Sequence, residues 1–168
     1  MSSVQFGRVA QVDFFTTTHR ISGQVNTGPK PLSDMLNDRS LSFVMAINVY
    51  VSRLREPGDI VAHVPVAYLS KENLSFVIVA ARETRQAERT RFSTQEYRAL
   101  ITLPTFEITG KFLGPLRVDM QVFSPASLDP FVILTDATAQ IVNLPEVTFC
   151  GEAILANAAR LESFGLSE

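Results

Sequence analysis

Tryptophan is absent from this chain of 168 residues, cysteine occurs once and histidine twice. With Cys150 alone, neither an internal disulfide nor a cysteine-rich zinc site is available. Charge is also scarce: Asp, Glu, Lys and Arg make up 19% of the residues, below the usual quarter. A chain this short of charge is expected to leave apolar surface for a partner or another copy to cover. Basic surplus is missing too. Residues 1–81 hold seven Lys/Arg against six Asp/Glu, residues 82–97 four against three, and residues 98–168 four against eight. Phosphate binding needs several clustered cations, and the acidic last part would repel it.

Long apolar runs are lacking. "FVIVAA" at 76–81 is far too short to span a membrane. The opening "MSSVQFGRVAQVDFF" has no apolar stretch of secretory length, so a cytoplasmic protein without membrane contact is expected. There is no Gly-rich phosphate loop, no HExxH and no GxSxG. The expectation is a protein that is not an enzyme and holds no metal or cofactor.

What the chain does have is β pattern. "VDFFTTTHRISGQV" (12–25) is rich in β-branched and aromatic residues. In "SFVMAINVYVSRL" (42–54), Phe43, Met45, Ile47, Val49 and Val51 alternate, which predicts one apolar face. Pro57-Gly58-Asp59 reads as a turn. Residues 59–69 and 74–80 read as strands split by the polar "SKEN" (70–73). "KPLSDMLNDRS", with Pro31 at a first helical position and Leu32, Met35 and Leu36 at helical spacing, predicts a helix of one or two turns.

The chain also resembles itself. Moving 87 residues along sets Ile21-Ser22-Gly23 on Ile108-Thr109-Gly110. With one residue more, 43–51 falls on 131–139; at the original spacing, 66–74 falls on 153–161. An internal duplication follows: a first unit over 1–81, an arginine-rich polar linker over 82–97, and a second unit over 98–168. A glycine recurring inside a strand marks a bulge, a bend or a close backbone approach, so Gly23 and Gly110 are structural candidates. The ending "ILANAARLESFGL" has helical composition, but the repeat makes it a hairpin. "STQE" at 93–96 fits a helix capping box, although the residues after it match the first strand of unit one.

This order of elements resembles the Sm-like small barrel. Gly23, Asp34, Asn37 and the strand 43–51 stand where that family's first motif would fall, and Tyr68-Leu69-Ser70-Lys71-Glu72-Asn73-Leu74 where its second would. The resemblance implies five-stranded barrels and RNA binding. The chain departs from it in four places: the helix falls between strands two and three, the Asp34-to-Asn37 spacing is one residue shorter than the resemblance implies, Ser70-Lys71 and Asn157-Ala158 replace the family's RNA-facing Arg-Gly, and "FSPASLDP" (123–130) replaces the Asp/Asn segment in the second unit. The chain also resembles bacterial tandem-repeat β proteins, which brings no function with it.

The fold expected is therefore all-β with short helices: two tandem five-stranded small barrels, or barrel-like sheets, related by a pseudo-twofold. His19 and His63 correspond to Phe106 and Cys150, so packing roles are expected rather than catalysis or metal binding. Asp34 and Asn37 are expected to cap a helix rather than bind a cation. Asp13 and Asp38, with Asp34, are the carboxylates near the first unit's loops. A self-assembling or protein-interaction module is the leading functional expectation, with itself or another protein as partner. The alternatives are nucleic-acid binding through Arg82, Arg85, Arg89, Arg91, Lys71 and Asn73, and a small-molecule pocket between the units.

Overall fold

A computed structural model describes residues 7–85, 94–115 and 128–168. The described residues are dominated by one antiparallel sheet of ten strands: β1 (Val9–Phe15), β2 (His19–Asn26), β3 (Phe43–Arg53), β4 (Glu56–Ser70), β5 (Phe76–Val79), β6 (Thr94–Leu103), β7 (Phe106–Pro115), β8 (Phe131–Ile141), β9 (Leu144–Asn157) and β10 (Ser163–Ser167). They run in the order β10-β6-β7-β8-β9-β5-β1-β2-β3-β4. The all-β class therefore stands. The sheet is open, since β10 and β4 lie at opposite ends of it.

The first five strands pair in the order β5-β1-β2-β3-β4 and the last five in the order β10-β6-β7-β8-β9. The sense is the same in both halves. A pseudo-twofold would set like strands side by side at the junction. Instead β9 pairs with β5, so the halves follow one another head to tail.

Apolar residues on neighbouring positions are explained by two cores on opposite faces of the central strands. In β1, Phe14 belongs to a core with Val12, Val44, Val77 and Leu155, while Phe15 belongs to one with Phe76, Phe106, Leu134 and Ile154. Successive side chains alternate across a strand, so each strand here is buried on both sides. This is why Phe76, Val77, Ile78 and Val79 need no polar alternation. Phe15 stacks on Phe76 with ring centroids 4.3 Å apart, and Phe106 meets Phe76 edge-on at 4.7 Å. Such ring pairs add to what burial alone contributes.

The helix α1 (Leu32–Asn37) forms as expected, with Leu32 and Leu36 buried in the first core. Pro31 is its cap residue, with extended backbone, rather than its first helical residue. The turn expected at Pro57-Gly58-Asp59 lies at Leu54-Arg55 instead, with Arg53 paired to Glu56. Leu54 decides this: its side chain is buried in the second core and its N–H donates to Thr18 O at 3.0 Å. Thr94–Glu96 lie in strand β6, so the capping-box reading fails. The C-terminal segment runs from the end of β9 through a single 3-10 turn (Ala158–Arg160) into strand β10, not a helix. It is not a paired hairpin, because β10 bonds to β6 and β9 to β5 and β8.

The predicted single face of β3 breaks at Asn48, whose φ is 51°. Phe43, Met45 and Ile47 face out, whereas Val49 is buried with Val44 and Ala46. Asp136, with φ 43°, does the same in β8. Asn and Asp tolerate this left-handed conformation better than most residues. The ladders beside these bulges shift between Ser22 and Gln24 and between Thr109 and Lys111, at Gly23 and Gly110. A Cβ on Gly110 would lie 2.9 Å from Ala137 Cβ and 3.1 Å from Thr135 O; on Gly23 it would lie 3.2 Å from Ile47 O. The recurring glycines make room for the neighbouring strand's bulge.

Candidate interaction edges

Strand β4 is one end of the sheet, and it is exposed along most of its length. Its partner β3 is exposed on the same face: Phe43, Met45 and Ile47 lie opposite Ser70, Tyr68 and Val66. Ile60 and Val61 add apolar surface further along β4. The Leu54-Arg55 turn joins β3 to β4, and β4 meets the first core through Leu69, Val64 and Ala67. At the other end, β10 pairs with β6 through Ser163–Ser167 and has no described strand on its far side.

The junction inside the sheet has a different fate. Phe76, Val77, Ile78 and Val79 pair with Ala156, Leu155, Ile154 and Ala153, and every β9 residue in that register is buried. Asn157 closes it. Its backbone N–H donates to Ser75 O at 3.0 Å, and its side-chain amide donates to Lys71 O at 3.2 Å and Leu74 O at 2.8 Å.

Of the residues named as a nucleic-acid contact, Arg82, Arg85, Lys71 and Asn73 are described. Arg89 and Arg91 lie outside the described residues. Arg82 is exposed, with the Glu83 carboxylate 3.9 Å away. Arg85 bonds to both carboxylate oxygens of Asp34. Lys71 is buried and donates to Met35 O at 3.1 Å and Asp38 O at 2.7 Å, at the end of α1. Burial pushes its ammonium below the usual lysine range, with Asp38 opposing. Asn73 is exposed.

Asp34 and Asn37 do not cap α1, which has no side-chain cap bond. Asp34 ties α1 to Arg85 through the bonds above. Asn37 Oδ1 accepts from the backbone N–H of Phe131 at 2.8 Å, joining α1 to the start of β8. Asp13 holds Arg20 at 3.0 Å and Ser22 at 2.5 Å. Asp38 accepts from Ser40, which lowers its pKa. Lys111, between Asp136 at 3.3 Å and Glu96 at 3.5 Å, is raised above the usual lysine range, chiefly by its bond to Asp136.

The histidines are not core residues. His63 is exposed, bonds Asn48 Oδ1 through Nε2 at 2.8 Å, and stacks on Tyr50 at 4.2 Å. Cys150 is exposed beside Thr138 Oγ1 at 3.7 Å. His19 is half-buried, with Thr18 Oγ1 2.8 Å from Nδ1. Only Phe106, of the matched pairs, packs fully. A cleft of about 740 Å³ lies between α1 and strands β7 and β8, with Asp34, Asn37, Phe112 and Leu128 on its walls.

Sequence reasoning missed the structural role of Glu83. It is buried, and it accepts from Arg8 Nη2 at 2.5 Å and from the N–H of Leu32 at 3.1 Å. It read as one of several linker carboxylates, and nothing in its local pattern marks it as a buried acceptor. No helix among the described residues is long and apolar enough to cross a membrane. No family model matches the chain, and neither does any curated protein or solved structure.

Proposed function

We propose that this chain is a non-catalytic, self-assembling module made of two duplicated, barrel-like five-stranded units of the Sm-like kind, working in the cytoplasm without a cofactor. One observation carries the reading. The sheet ends at a long strand, β4, whose edge is open and whose flank is apolar through Phe43, Met45, Val66 and Tyr68. An open edge presents a row of unpaired N–H and C=O groups, and native proteins blunt such edges unless a strand is meant to join. Strand addition takes affinity from the main chain and specificity from alternate side chains. Contiguous apolar surface of this sort marks an interaction site more often than it marks nothing. The exposed thiol of Cys150 suits a reducing compartment.

Light scattering on the purified chain tests this. The expected native mass is a defined multiple of 18.6 kDa. Val66→Asp with Tyr68→Asp places two charges on exposed positions of β4 and is expected to return the chain to a monomer. An assembly that keeps its mass in this variant would sink the reading.

A further inference from the structure

The identity of the strand that joins β4 is written into the chain's own junction; this inference rests on the strand-edge reading above. We infer that the occupant is β10 of a second copy, held in the register that β5 adopts against β9, so that chains add head to tail.

The correspondence is residue by residue. Phe14 pairs with Ile21 and Ile101 with Ile108, and the 3-10 turns Lys71–Asn73 and Ala158–Arg160 follow β4 and β9 alike. At this spacing β4 stands for β9 and β10 for β5. The internal pairs Val77–Leu155, Ile78–Ile154 and Val79–Ala153 then become Phe164–Tyr68, Gly165–Ala67 and Leu166–Val66 between copies. These are the two strands that the sheet leaves at its ends.

Burial follows the same correspondence. Phe131, Ala153 and Leu155 lie in the first unit's core, at 2%, 0% and 0% exposure. Their counterparts Phe43, Val66 and Tyr68 are 58%, 46% and 69% exposed. On the receiving side, Val77 and Val79 are buried, whereas Phe164 and Leu166 are half-buried at the rim of the second core. Each unit is built to be covered in the way the junction covers one side of each. Among the described residues, the chain satisfies that once internally and leaves it unsatisfied at both ends.

The backbone of β4 is ready for the contact. Lys71 donates its N–H inward to Ser42 O at 3.0 Å. Directions alternate along a strand, so Ser70, Tyr68 and Val66 turn their N–H and C=O outward. Pro65 falls between Val66 and Val64, opposite the bulged Asn48. The donor it lacks would face β3, so it does not blunt the outer edge. Ser70 stands where Asn157 stands in the junction, with its outward N–H matching the one Asn157 gives to Ser75. Because unlike edges meet, the contact is heterologous and repeats until it closes a ring or grows a filament.

Two cysteine variants in a Cys150→Ser background test the register. Ala67→Cys and Gly165→Cys would face each other across the contact. A side chain at Gly165 meets nothing nearer than Leu100 O at 3.8 Å, and Ala67→Cys adds one sulfur at a half-buried position, so both variants should fold. Directly opposed strand residues come within disulfide range. Under mild oxidation, each variant alone is expected to stay unlinked, and an equal mixture to give a disulfide dimer. A linked dimer of Ala67→Cys with itself would overturn the head-to-tail register while leaving strand-edge assembly intact. An assembled mass with no disulfide in the mixture would overturn it as well. A monomeric mass with no disulfide would end both readings.

Discussion

The side-chain amide of Asn157 donates to Leu74 O at 2.8 Å, tying the end of β9 to the turn that leads into β5. Its orientation is set from the other side, since Oδ1 accepts from the N–H of Ala159 at 3.1 Å. One buried side chain thus satisfies three backbone groups, two of them across the junction of the two halves. Asn157→Ala leaves the carbonyls of Lys71 and Leu74 without this donor. It is expected to lower stability by about 1–3 kcal/mol in urea unfolding. Asn157→Asp should cost at least as much, because a carboxylate cannot donate to those carbonyls.

The two bulges give a sharper contrast. Gly110→Ala forces a methyl within 2.9 Å of Ala137 Cβ and against the backbone of Thr135. Overpacking of this kind costs about 1–3 kcal/mol. Gly58→Ala meets nothing within 4 Å and is expected to be neutral or slightly stabilising. Thermal melts of the two variants should separate clearly. Equal melting points would show that the close approach at Gly110 relaxes without cost.

Two phenylalanines that each open a strand should behave in opposite ways. Phe76 is fully buried and touches Phe15 and Phe106, so Phe76→Ala is expected to cost about 3–5 kcal/mol. Phe43 is mostly exposed, so Phe43→Ala should leave unfolding of the dilute monomer almost unchanged and weaken association instead. Denaturation and light scattering on both variants check this.

Lys71 makes a prediction about pH. Burial favours its neutral form, so the folded chain releases this proton at lower pH than the unfolded chain. Between those two values the unfolded chain binds more protons, and raising pH favours the fold. Lys71 therefore contributes a rise in stability in the window below the ordinary lysine value of 10.5. Lys71→Met keeps most of the packing and removes the titration. Its urea midpoint should rise less with pH there than that of the parent chain. Lys111 acts in the opposite sense: its raised pKa gives stability that is lost only as pH climbs above 10.5.

The site was partly legible. The alternation of Phe43, Met45 and Ile47 is plain in the sequence, but it reads as a core face, because burial is the usual reason for such a pattern. The single-residue bulge at Asn48 is what turns Val49 to the other side. A bulge is set by one φ angle and by the neighbour's glycine, and only the spacing of Gly23 and Gly110 hints at it. Lys71 reads as a surface cation, because nothing local tells that the end of α1 folds back over it.

Residue chemistry and spacing alone determined the β class, the single short helix and the strand–turn–strand at the C-terminal end. Each of these shows in local periodicity, turn residues or the repeat spacing before any pairing is known. Tertiary structure alone decided that β9 pairs with β5 and not β10, that the sheet stays open, and that one apolar face is covered while its counterpart on β3 and β4 is bare. Strand pairing joins residues far apart in sequence, and an apolar pattern says that a face needs covering without saying what covers it.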